Sequence, residues 1–154
     1  MYLLDTNHCS RLLQGHPSII EKLNALGNVT VATSVIVRGE LIFMAQKSER
    51  QSANLRQVHR LLDDMQVYPL DNDTAERYGK LKAAILERFG PKDKKKRTKI
   101  RTDILGFTDN DLWIAAAAQQ HNLIVVSADS DFERMKTVAN FRVEKWWSPE
   151  MDRT

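Results

Sequence analysis

Cysteine is almost missing from this chain. Cys9 is the only one in 154 residues, which excludes an intrachain disulfide framework and a zinc site built on several thiolates. With nothing that needs an oxidising compartment, a reducing cytoplasm is the expected location. Long apolar runs are also missing. None approaches the ~18 residues of a membrane span, so no membrane association is expected. The opening segment, Met1-Tyr2-Leu3-Leu4-Asp5-Thr6-Asn7, has no basic residues leading into a long apolar stretch, and no secretory signal is read there. There is no internal repeat and no Pro- or Ser-rich linker. The four histidines, His8, His16, His59 and His121, form no constellation for general acid–base work. His8 reads as a turn residue near Asp5, with a substrate contact as the alternative.

What is present fits one domain. The hydrophobic share of 42% and charged share of 28% are those of an ordinary globular chain, and about 150 residues are enough for one real core. The charge is uneven. The net formal charge is +3, yet Lys92–Arg101 alone holds seven basic residues and one acid; the rest of the chain has 16 basic and 19 acidic residues. A mildly acidic body therefore carries one basic strip, read as a loop. Such a strip either tracks a nucleic-acid backbone or is a solvated surface run.

Short apolar runs alternate with helical patterns. Strands are expected at Tyr2–Leu4, Val29–Ala32, Val67–Leu70, Leu123–Ser127 and near Phe141–Glu144. Helices are expected from Ser18 to Gly27, from Ser34 (capped by Thr33 or Ser34) to Lys47, and from about Arg50 to Met65. Others run from Asp71 or Asp73 to Phe89, from Asp109 (as N-cap) to His121, and for a short stretch from Asp131. This alternation predicts an α/β fold with a parallel sheet and helices on both faces.

Four acids stand out. Asp5 directly follows the first strand, at the carboxyl end where open parallel sheets bind ligands; an ordinary turn Asp would sit there too. Glu40 has Ile36, Val37, Phe43 and Met44 as its helical neighbours, which places it on a core-facing stripe. A buried carboxylate without a partner costs on the order of several kcal/mol, so it needs a cation, hydrogen-bond donors or a proton. Asp111 likewise has Ile114, Ala115 and Ala118 along its face, although a plain first-turn acid would look the same. Asp129 and Asp131 follow the apolar strand Leu123–Ser127. Asp131 is expected to cap the next helix, leaving Asp129 as the freer ligand, and the choice between them stays open. Carboxylate clusters hold hard cations such as Mg²⁺ or Mn²⁺ and are a standard device for cutting phosphodiesters.

Taken in order, LLDTN at the start, Ser34-x₅-Glu40-Leu41, NDLWIAAAA from Asn110 and SADSDF from Ser127 resemble a PIN-domain ribonuclease, and more closely a VapC-type toxin. The resemblance covers about Tyr2 to Trp146. It implies a three-layer α/β/α domain over 1–147 with a tail at 148–154, and Mg²⁺- or Mn²⁺-dependent endoribonuclease activity. Asp5, Asp111 and Asp129 would be the metal ligands, with Glu40 completing the catalytic set and Thr6, Asn7 and Asp131 in support. In-line attack of water on phosphorus would leave 5′-phosphate and 3′-hydroxyl ends. A homodimer, and an antitoxin whose C-terminal segment covers the acidic groove, are implied as partners, with RNA as substrate. The basic loop, about 91–107, is longer than in many members of the family; in it Lys94, Lys95, Lys96 and Arg97 are the candidate RNA contacts. A haloacid-dehalogenase-like phosphatase also begins with an Asp after strand one, but wants a second Asp where this chain has Asn7. The other alternative is a catalytically idle PIN-like module that binds RNA or protein, against which the complete acid set argues.

Overall fold

In the computed structural model, which describes residues 1–153, strands β1 (Tyr2–Leu4), β2 (Val31–Ser34), β3 (Gln66–Tyr68), β4 (Ile124–Val126) and β5 (Arg142–Glu144) form one sheet. Their order is β3-β2-β1-β4-β5 and every neighbouring pair is parallel. β1 is central, with Tyr2 opposite Val31 on one side and Ile124 on the other. Successive side chains of a strand point to opposite faces. Leu3, Leu4, Ile124, Val125 and Val126 are nevertheless all buried, so both faces of the sheet are covered. The fold is therefore the three-layer α/β/α arrangement that apolar strands such as Leu123–Ser127 predict.

The helices are α1 (Thr6–Leu13), α2 (Pro17–Leu26), α3 (Val35–Gln46), α4 (Gln51–Asp63), α5 (Asn72–Phe89), α6 (Lys94–Arg97), α7 (Asp109–Gln120) and α8 (Ser130–Met135), with 3-10 turns at Thr102–Leu105 and Pro149–Arg153. Several caps are the expected ones. The Ser34 hydroxyl accepts from Val37 N–H, and Asp71 forms a reciprocal capping box with Thr74. Gly27 ends α2 at φ +69°, a left-handed conformation suited to glycine. No described helix is long and apolar enough to cross a membrane.

Other boundaries differ from expectation, each for a local reason. α1 was not foreseen; it exists because Asp5 caps it, accepting from His8 N–H at 2.8 Å. α2 starts at Pro17 rather than after Ser18, since proline suits the first helical position. Thr108, not Asp109, caps α7: its hydroxyl accepts from Asp111 N–H, while Asp109 turns outward to the Tyr78 hydroxyl and Lys82. Asp129, not Asp131, caps α8, accepting from Asp131 N–H at 2.9 Å. The basic strip is not wholly a loop. Asp93 caps one helical turn over Lys94–Arg97 by accepting from Lys96 N–H. That turn folds tightly onto the end of α5. A Cβ at Gly90 would meet Leu86 O at 2.3 Å and Arg97 Cγ at 3.1 Å, so only glycine fits there.

The C-terminal segment is packed, not free. Trp146 and Trp147 are buried. Trp146 sits edge-on to Tyr2, and Trp147 carries the Arg11 guanidinium on its ring. Asp152 is held by His16 at 2.9 Å and by the Trp147 indole N–H at 3.1 Å. Of the expected tail at 148–154, Thr154 lies outside the described residues.

Candidate active site

Strand order reverses between β1 and β4: the chain leaves β1 towards β2 and returns to β4 on the other side. In open α/β sheets the crevice at the carboxyl ends of such strands is the ligand site. Asp5 stands there directly after β1, and its backbone N–H donates to Val126 O at the end of β4. Leu4 O, one residue earlier, accepts from the Thr33 hydroxyl of β2. Three adjacent strand ends are thus tied together around one carboxylate.

A cavity of about 260 Å³ opens at this point, lined by Asp5, Thr6, Asn7, Glu40, Thr108, Asp111, Ile114 and Asp129. Each acid arrives on a different element. Asp5 caps α1, Glu40 comes from the middle of α3, Asp111 from the first turn of α7, and Asp129 from the cap of α8. The carboxylates of Asp111, Asp129 and Asp131 each offer an oxygen within 4.8 Å of the others. Asp131, however, pairs with Arg134 at 2.9 Å and does not line the cavity. Asp131 thus stays close to Asp129 but has a cation partner of its own, whereas Asp129 lines the cavity. Arg134 also donates to Leu105 O and lies over the Phe107 ring, so it fixes the approach to α7.

Glu40 is not on the core face of α3. The buried face is Val37, Leu41 and Ala45, whereas Phe43 and Met44 are 63% and 40% exposed. Two of the apolar neighbours that suggested burial are surface residues. Glu40 is half-buried and held at the cavity by two donors: the Thr6 hydroxyl and the Asn110 amide, at 2.5 Å. Asn110 belongs to a recognised motif, but sequence reading gave it no such role. Asn7 is exposed on the cavity rim.

The electrostatics follow first from burial. Asp111 has its carboxyl pushed up to about 7 mainly by desolvation, opposed by the side-chain bond from Thr108, with the charges of Asp129, Asp5 and Glu40 each adding a smaller upward push. Burial likewise pushes the Cys9 thiol well above its ordinary range, so Cys9 is a neutral packing group.

Asp5 is only 5% exposed, and its Oδ1 takes two bonds, from His8 N–H at 2.8 Å and His8 Nδ1 at 3.0 Å. His8 is fully buried, not a turn residue, and its Nε2 accepts from Trp147 N–H at 3.2 Å. The sequence offered no sign of this: the partner lies 139 positions away.

The ligand atoms the cavity offers are oxygens, from four carboxylates, the hydroxyls of Thr6 and Thr108 and the Asn7 amide, with no imidazole or thiolate among them. That composition fits a hard divalent cation and does not fit zinc or copper, which prefer nitrogen and sulfur. Asp111, whose carboxyl is raised mainly by burial and further by the three neighbouring acids, is the member of the set that gains most from a nearby positive charge.

The basic turn stands apart from the acids in sequence but connects to them through Thr102–Thr108. Lys94, Lys95 and Lys96 are exposed. Arg97 instead folds back to donate to Lys92 O and Pro91 O.

Comparison with known proteins agrees with this geometry. The PIN domain family matches residues 2–138. The Ribonuclease VapC2 of Rickettsia felis is 28% identical over 148 residues, 95% of this chain and 98% of that protein. The tRNA(fMet)-specific endonuclease VapC of Salmonella typhimurium is 26% identical over 146 residues, 94% and 97% respectively. The crystal structure of DNA-bound VapBC from Salmonella typhimurium superposes with a TM-score of 0.76 at 27% identity, covering 95% of this chain and 98% of that one. With an acidic cavity at the switch point of a five-stranded parallel sheet and a family match across most of its length, this chain belongs to the PIN-domain family and is of the VapC type.

Proposed function

We propose that this protein is a divalent-metal-dependent endoribonuclease, the toxin of a toxin–antitoxin pair. The observation that carries the reading is the convergence of Asp5, Glu40, Asp111 and Asp129, from four separate stretches of chain, on one open cavity. The activities for which the VapC relatives are named, ribonuclease and endonuclease, support the reaction class.

Asp5, Asp111 and Asp129 would hold Mg²⁺ or Mn²⁺. Bound there, such an ion supplies positive charge to the scissile phosphate and lowers the pKa of a nearby water. The chain's own residues do the rest. Thr6 and Asn110 fix Glu40, leaving its oxygens lone pairs to orient the attacking water and take its proton. Water oxygen would add to phosphorus in line with the 3′ oxygen, the P–O3′ bond would break with the electron pair going to O3′, and O3′ would take a proton from solvent, leaving 5′-phosphate and 3′-hydroxyl ends while Glu40 returns its proton to solvent. The Asp5 carboxylate, held on Oδ1 only, keeps Oδ2 for the cavity. Asn7 at the rim and the lysines of α6 would contact the RNA backbone, Arg97 being committed to its own loop.

We read the domain as 1–147 with a short tail from 148, working in the cytoplasm where its RNA lies. The VapBC complexes among its structural neighbours support an antitoxin as partner, with a basic side chain able to answer the four acids. A homodimer completes the reading.

Purified protein should cut RNA with Mg²⁺ or Mn²⁺ and stop with EDTA. Asp5→Asn keeps the size and the cap but removes the charge, so it should abolish cleavage while the circular dichroism spectrum stays that of the wild type. Cleavage by the Asp5→Asn protein at the wild-type rate would refute the site.

A further inference from the structure

Resting on the metal-site reading above, we propose that His8 is a positioning residue for Asp5, held in the neutral Nδ1–H tautomer by the main chain of Trp147, so that the C-terminal segment is a working part of the acidic site. The argument is one of hydrogen-bond direction. Trp147 N–H can only donate, and it points at His8 Nε2 at 3.2 Å. That nitrogen must therefore be the bare acceptor. The remaining ring proton sits on Nδ1, which faces Asp5 Oδ1 at 3.0 Å and donates to it. The ring is fully buried and packs at near right angles to Trp147, centroids 6.0 Å apart, which restrains its orientation. Asp5 Oδ1 then carries two donors from one residue, the backbone N–H and the ring N–H. This fixes the carboxylate plane and presents Oδ2 to the cavity.

The chemistry of metal sites gives such a bond a purpose: a ligating carboxylate is itself held by a hydrogen bond, and losing that partner costs about 10–100-fold in metal affinity or activity. The family match ends at residue 138, yet the group that selects the tautomer is at 147. Trp147 is anchored in turn through its indole N–H to Asp152 and under Arg11, so the lock on Asp5 extends to the far end of the chain.

The test separates the two ring nitrogens. Asparagine at position 8 can place its amide N–H where Nδ1 was. Glutamine can reach the Nε2 position and accept from Trp147, but gives Asp5 no side-chain donor. Mn²⁺ binding, read from the electron paramagnetic resonance of the free ion, should be weakened about 10–100-fold by His8→Gln and largely kept by His8→Asn, with cleavage following the same order. Nitrogen-15 NMR of the unmutated protein should show His8 with Nδ1 protonated and Nε2 bare, a readout that needs no substitution. Equal Mn²⁺ affinity in wild type and His8→Gln, equal loss in both variants, or a proton on Nε2 would overturn the inference. Wild-type protein that binds no Mn²⁺ at all would instead remove the metal-site reading, a result distinct from any of these.

Discussion

Asp111 is held in the fold at a cost to stability. Its carboxyl is raised from 3.8 to about 7 by burial and by the charges of Asp129, Asp5 and Glu40. A raised folded-state value means the proton is bound more tightly in the native protein than in the unfolded chain. The associated stability is fully present below about pH 4 and is lost as pH rises through about 7. In EDTA, Asp111→Asn should therefore gain stability over wild type between pH 4 and 7 and keep that gain at pH 8. At pH 3.5 the two should unfold together. The gain is on the order of a few kcal/mol, or about 5–10 °C for a chain of this size, while metal-dependent cleavage disappears. Thermal unfolding across that pH range checks the sign; a variant less stable than wild type at pH 8 contradicts it.

At the scale of elements, α6 turns a charge run into a defined surface. One helical turn capped by Asp93 presents Lys94, Lys95 and Lys96 outward, while Arg97 bonds its own loop. For single strands the slope of log K against log salt changes by about 0.7 per phosphate contact. Replacing all four residues by Gln should make that slope shallower by about 2 rather than about 3 units, and weaken all RNAs alike, because phosphate contacts carry no sequence information. Filter binding at several salt concentrations measures this, and an unchanged slope returns the strip to a solvated surface. The elements also show what a sequence can display. β4 was legible because three consecutive buried residues leave an apolar run that only a two-faced strand explains. The caps at Ser34 and Asp71 were legible because capping is local. Glu40 was placed on the wrong face because apolar periodicity counts Phe43 and Met44 as core, and nothing in one sequence marks an exposed phenylalanine. α1 was missed because its signal is one Asp that had already been read as a ligand. The roles of His8 and Asn110 depend on partners 139 and 70 positions away, beyond the reach of any periodicity.

For the whole molecule, four acids meeting at one cavity should couple folding to metal. An ion at about 100 times its dissociation constant adds roughly 2.7 kcal/mol to a fold that alone can bind it, so Mg²⁺ or Mn²⁺ should raise the melting temperature by about 5–10 °C. A melting curve indifferent to both ions would count against a shared site. Sedimentation should show a dimer, and a tight complex with the product of a neighbouring small gene; a strict monomer without such a complex removes the partner reading. The placement of β1 at the centre of the sheet carries one more consequence, for synthesis. The first strand made is the one flanked by β2 and β4, and β4 reaches it only after residue 126. Domains fold as units while the ribosome delivers them N-terminus first, at about 5–20 residues per second. A nascent chain therefore carries Asp5 long before Asp129 has been added, and gains the Trp147 lock on His8 later still. Until residue 129 has been added the acid set cannot assemble, so the growing chain carries no complete acidic site while β1, β2 and β3 are being made.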